Sequence, residues 1–100
     1  MKNPLTKQLR NIRKHTRRYI LGRAKNWYHI FGCDNQEMRD HLESLFTDGM
    51  NWSNYGRTGW HIDHIKPLSK SGSVEELYNR AHYTNLKPLW AIDNLKKSNK

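Results

Sequence analysis

Cysteine is nearly absent. Cys33 is the only one in 100 residues, so neither an intrachain disulfide nor a zinc knot built on several thiolates can hold the fold together. No apolar run approaches the roughly 20 residues of a membrane span, and the basic N-terminus leads into no apolar segment of the signal-peptide kind. The expectation is a soluble, cytoplasmic protein with no membrane partner. Acidic residues are missing from the first third. All nine Asp and Glu lie at or beyond Asp34, while half of the 18 Lys and Arg precede it, so the net charge of +9 belongs to residues 1–33. A basic module on a charge-balanced body points to a polyanion, of which nucleic acid is the commonest for a soluble protein. The plainer alternative is a solvated tail.

What is present fits one small domain. A chain of this length has material for a single core, and 35% hydrophobic residues with four Trp and five Tyr supply it. Leu5, Leu9, Ile12, Tyr19 and Ile20 recur at spacings of three, four and seven, which predicts an amphipathic helix between Pro4 and Gly22. Lys7, Arg10, Arg13, Lys14, Arg17 and Arg18 fall largely off that stripe, so the helix can dock on the body and turn its cations toward phosphates. Its apolar face is too narrow for a membrane surface. Trp27, Tyr28 and Phe31 are expected to anchor it.

Asp34 and Glu37 form a capping-box pair for a second helix carrying Met38, Leu42, Leu45 and Phe46 to about Thr47. Residues 48–59, rich in Gly, Asn and Ser, read as an ordered loop pinned by Met50, Trp52 and Tyr55. Trp60 to Ile65 alternates apolar and polar residues like a half-buried strand. Its alternation would put His61, Asp63 and Lys66 on one face and Trp60, Ile62 and His64 on the other. Ser73 and Glu76 open a short helix to about Arg80. A second strand follows at Leu86–Trp90, with Pro88 at an edge, and a final helix runs to about Lys97.

Three features of the last forty residues belong together: Asp63-His64 at the end of a strand, Asn85 entering the next, and Asn94 in the first turn of the closing helix. A strand-loop-strand-helix unit can bring them to one point. In Trp-His-Ile-Asp-His-Ile-Lys-Pro-Leu (60–68) and Tyr-Thr-Asn-Leu-Lys-Pro-Leu-Trp-Ala-Ile-Asp-Asn-Leu-Lys-Lys (83–97) the chain resembles the HNH endonucleases. Residues 42–56 also look like the extension found in phage-encoded HNH proteins. The resemblance implies an α+β fold, with a ββα-metal (HNH) unit at the C-terminus (59–100) preceded by a basic, DNA-binding helical extension and ordered loop (1–58), all in one compact domain.

By that resemblance, Asp63 and Asn94 are ligands of one divalent cation, and His64 is the general base. Asn85 holds the His64 ring by hydrogen bonding. Asn94 stands where most of the family carries His, which makes this a His-Asn-Asn variant and points to Mg²⁺ or Mn²⁺ rather than Zn²⁺. A neutral imidazole, with an ordinary pKa of about 6.5, can take a proton from water near neutral pH. His61 and Lys97 are further candidates for the metal or a phosphate, against structural hydrogen bonding for the first and a solvated basic end for the second. Without the motif, Asp63 and His64 would read as a surface pair, and Asn85 and Asn94 as turn and cap residues. Trp60 and Trp90 read as core. The implied activity is hydrolysis of DNA phosphodiesters, nicking one strand per site, by a monomer or weak dimer. The alternative is a non-catalytic DNA-binding module or an accessory to phage DNA-packaging proteins.

Overall fold

The computed structural model describes residues 4–24 and 26–98; the side chains of residues 4, 97 and 98 lie outside the described residues. Helix α1 (Pro4–Ile20) follows the predicted stripe, burying Ile12, Tyr19 and Ile20, with Leu5 and Leu9 partly covered. Thr16 joins that buried face because its Oγ1 donates to the Ile12 carbonyl, 2.6 Å away, and so needs no outside partner. Gly22, with φ +70°, ends the helix in the left-handed turn that such a C-terminus requires. Arg39 also donates to the Ile20 carbonyl from the next long helix.

A single helical turn, α2 (Tyr28–Phe31), leads to α3 (Asn35–Ser44). The Asp34 side chain accepts from Glu37 N while Glu37 accepts from Asp34 N, which is the reciprocal cap the sequence announces. Helix α3 stops at Ser44, short of Thr47, where Leu45 leaves helical dihedrals and Ser44 Oγ donates back to His41 O. Phe31 is fully buried between Tyr19 and Trp27, and Trp27 also lies against His15 of α1. These residues anchor α1 as expected. Tyr28 does not, since it is 51% exposed on the outer side of its short helix.

Strands β1 (Trp60–His64) and β2 (Leu86–Trp90) pair antiparallel, Trp60 opposite Trp90 and His64 opposite Leu86. Ile65 N donates to Asn85 O and Ala91 N to Gly59 O. In an antiparallel ladder hydrogen-bonded pairs alternate with open ones, so these bonds place Ile62 and Pro88 at an open pair. The Pro88 nitrogen therefore points away from β1, and the missing N–H leaves no gap. Between the strands, α4 (Val74–Ala81) starts at a Ser73 cap. Helix α5 (Ala91–Ser98) continues from β2 without a loop.

The fold is thus α+β, a two-stranded sheet among helices. Its core is continuous: Ile12, Phe31, Met38 and Leu42 from the N-terminal half meet Leu68, Leu77, Ala81 and Leu86 from the C-terminal half. Cys33, fully buried, belongs to this cluster. Burial pushes its thiol up to about 12, which leaves it an inert apolar side chain.

Candidate active site

Trp60 organises the approach to the site. Its fully buried ring lies against Phe46, Trp52 and Tyr55, and its Nε1–H donates to Asn51 O. Arg39 covers Trp52 from the other side, 4.1 Å from the ring centroid. The loop so fixed folds back along the free edge of β1, where Gly56 N donates to Trp60 O. Gly59 makes the return tight. A Cβ there would stand 1.7 Å from the Asn54 carbonyl oxygen.

Between this loop, β1, α1 and α5 lies a cleft of about 480 Å³, lined among others by Arg13, Arg17, Tyr55, Arg57, His61, His64 and Asn94. Four stretches of chain therefore meet at one place. Three guanidinium groups stand beside two imidazoles and an amide. Burial raises the Tyr55 phenol above its ordinary value, with Arg17 partly opposing, so its hydroxyl stays protonated at neutral pH and can donate to an oxyanion.

The cleft gathers residues that alternation along β1 separates. His61 and His64 line the same cleft, although an alternating strand assigns them to opposite faces. The loop bridged to β1 at Tyr55 and Trp60 completes that cleft together with α1 and α5. Asp63, only 7% exposed, is not among the cleft-lining residues; it lies within β1 opposite Lys87. Asn94 meets His61, with Nδ2 and Nδ1 3.5 Å apart.

Asn85 has a different task from the one expected. Its Oδ1 accepts from Lys66 N at 2.9 Å, while its Nδ2 donates to Lys66 O at 3.1 Å and Arg80 O at 2.7 Å. These bonds fasten the backbone just beyond His64 to the end of α4. The amide thus acts on backbone, and on His64 through it. An extended segment following a strand leaves backbone groups without ladder partners, and an amide satisfies them best.

Of the six cations on α1, Arg13 and Arg17 reach the cleft, and Arg10 lies one turn earlier on the same stripe. Lys7, Lys14 and Arg18 are exposed on the adjoining stripe, where Arg18 also donates to Arg23 O. The Lys97 side chain lies outside the described residues. Sequence reasoning missed Tyr55 and Arg57, for which an Arg two residues after a large aromatic in a glycine-rich loop was the available signal. His82 packs elsewhere, bonding Thr84 and filling the space above Gly32.

No group of three or more His, Cys, Asp or Glu side chains stands ready to hold a metal among the described residues. No helix among the described residues is long and apolar enough to cross a membrane. The chain is 30% identical over 82 residues to an uncharacterized protein of Acanthamoeba polyphaga mimivirus, an alignment covering 77% of this chain and 34% of that protein. The chain thus spans about a third of the length of that relative. No family model matches the chain, and no solved structure does.

Proposed function

We propose that this chain is a metal-dependent DNA endonuclease of the HNH type, with β1, β2 and α5 as its ββα-metal unit. The observation that carries the reading is the shared cleft: His61, His64 and Asn94 open onto the same space as Arg13, Arg17 and Arg57. A purely DNA-binding module accounts for the arginines. It gives no reason for two imidazoles and an amide beside them.

Arginine guanidinium groups bind phosphate oxygens through paired, charge-assisted hydrogen bonds. Arg13 and Arg17, one turn apart on a rigid helix, can hold successive phosphates of a strand while Arg57 approaches from the loop. The protonated Tyr55 hydroxyl adds a neutral donor. His64 takes the proton of the attacking water as the phosphodiester bond breaks, leaving a 5′-phosphate and a 3′-hydroxyl. Asn85 fixes the backbone on which His64 is carried. Asp63 and Asn94, a carboxylate and an amide oxygen, would hold one Mg²⁺ or Mn²⁺. Such a cation, when bound, stabilises the negative charge that builds on the phosphate and the departing oxygen. Of this pair Asn94 lines the cleft and Asp63 does not.

A single site cuts one strand per encounter, so the expected product from supercoiled plasmid is the open circle. Incubation with Mg²⁺ or Mn²⁺, beside a sample with EDTA, tests the reading. Plasmid left supercoiled at every metal concentration, by protein that binds it, would overturn it.

A further inference from the structure

We infer that His61 is a positioning residue for phosphate binding: its ring ties down the turn that carries Arg57 and so presents that guanidinium to the DNA backbone. The inference rests on the phosphate role proposed for the cleft arginines and needs no bound cation. Its basis is the hydrogen bonding of one imidazole. Nε2 of His61 stands 3.1 Å from the carbonyl oxygen of Arg57. A carbonyl can only accept, so Nε2 carries the ring proton, and the neutral ring has its lone pair on Nδ1. That nitrogen faces Nδ2 of Asn94, a donor, across 3.5 Å. The contact is long for a hydrogen bond, yet its polarity agrees with the same tautomer. One ring thus joins the turn to the closing helix.

The turn has reason to need a tie. Residues 56–59 read Gly-Arg-Thr-Gly, and Gly56 stands at φ +150°, where side chains rarely allow the backbone to go. Gly59 N donates to Gly56 O, and Gly56 N to Trp60 O. These bonds close the ends of the turn. The bond from His61 takes hold of the residue between them, the one that bears the cation. Glycine at both ends gives this backbone wide freedom, and the exposed Arg57 side chain adds its own. Gripping a phosphate has to order both. A turn that is already held loses less entropy on binding, which is how preorganisation raises affinity.

The same tautomer weighs against a direct contact. Phosphate oxygens are acceptors, and His61 has its one ring proton on the Arg57 carbonyl, so the ring has no donor left for them. It lines the cleft and acts through Arg57. A tie that served only the fold would affect all the cleft arginines alike.

The test is a double-mutant cycle on the full chain. Wild type, His61→Ala, Arg57→Ala and the double variant are each titrated with a short DNA duplex in EDTA, so that binding is read without metal. One neutral hydrogen bond corresponds to roughly a 2- to 10-fold change in an equilibrium constant. His61→Ala should weaken DNA binding by that factor. Arg57→Ala should then cost correspondingly less in the His61→Ala background than in wild type, while Arg13→Ala costs the same in both. His61→Gln, whose amide N–H can reach the place of Nε2, should restore both the affinity and the full effect of Arg57→Ala. The shorter His61→Asn, which sets an acceptor near the place of Nδ1 but stops short of the Arg57 carbonyl, should not. Additive losses overturn the inference, as do rescue by Asn instead of Gln and binding indifferent to Arg57→Ala. An Arg13 effect that shrinks along with that of Arg57 marks a general loosening of the cleft and overturns it too. Plasmid that is bound but never cut with metal would remove the nuclease reading and leave the outcome of this cycle intact.

Discussion

Replacing Asn85 by alanine removes three side-chain hydrogen bonds, two to Lys66 and one to Arg80. Each intramolecular hydrogen bond contributes about 0.5–1.5 kcal/mol net. The Lys66 groups are near solvent, and water takes over part of their pairing; the Arg80 carbonyl is less accessible. The expected loss is about 2 kcal/mol, or about 10 °C in Tm for a chain of this size. Asn85→Asp should do no better, because it keeps the acceptor for Lys66 N but turns a carboxylate oxygen on two carbonyls. Amide hydrogen exchange at Lys66 is the local readout. It should accelerate in both variants, with cleavage falling as the backbone behind His64 loosens. If instead Asn85→Ala melted like wild type, protected Lys66 equally and changed only the pH profile of cleavage, the amide would be holding the His64 ring, and the backbone assignment would be wrong.

Other consequences can be measured separately. Arg13→Ala with Arg17→Ala should weaken DNA binding and reduce the slope of log K against log salt by about 2, since each phosphate contact contributes roughly 0.9; an unchanged slope removes α1 from the interface. Gly59→Ala forces a Cβ onto the Asn54 carbonyl and should destabilise by about 1–3 kcal/mol, as overpacking does, and denaturant titration within 0.5 kcal/mol of wild type on the scale of ordinary surface changes would refute the contact. Burial first, and then Lys14 and Arg18, hold His15 below its ordinary 6.5. The unfolded chain therefore takes up this proton more readily than the folded one. His15 stabilises fully above pH 6.5, and that contribution falls as pH drops from there through the lower folded value. Unfolding curves at a series of pH values should be flatter in this window for His15→Phe, which keeps a ring against Trp27; identical curves would remove His15 from the acid response.

Much of this was legible because it is local. The spacing of Leu5, Leu9, Ile12, Tyr19 and Ile20 sets α1, the Asp34–Glu37 pair sets the start of α3, and Pro88 can sit in β2 because pairing parity spares its nitrogen. The closing helix carries Asn94 to the sheet because it follows β2 directly. What the pattern does not contain is which parts of the chain meet. That Arg13 and Arg17 face His64 depends on how Trp27 and Phe31 seat α1 on the core. Tyr55 and Arg57 reach the cleft because Trp60 gathers the loop around its ring and Gly59 lets it turn. Alternation along β1 could not reveal that His61 and His64 line one cleft, because α1, α5 and the loop before β1 complete it. The role of Asn85 depends on carbonyls contributed by two distant segments.

The central claim is that His64 performs chemistry in a cleft that binds DNA independently of it. Supercoiled plasmid cleavage by wild type and His64→Ala, each with Mn²⁺ and each paired with a gel-shift measurement of DNA affinity, tests it most directly. The account predicts open circles from wild type alone, at least a hundredfold less from the variant as expected for loss of a general base, and equal binding by both. Equal cleavage by the two proteins, or equal binding with no cleavage by either, would contradict it.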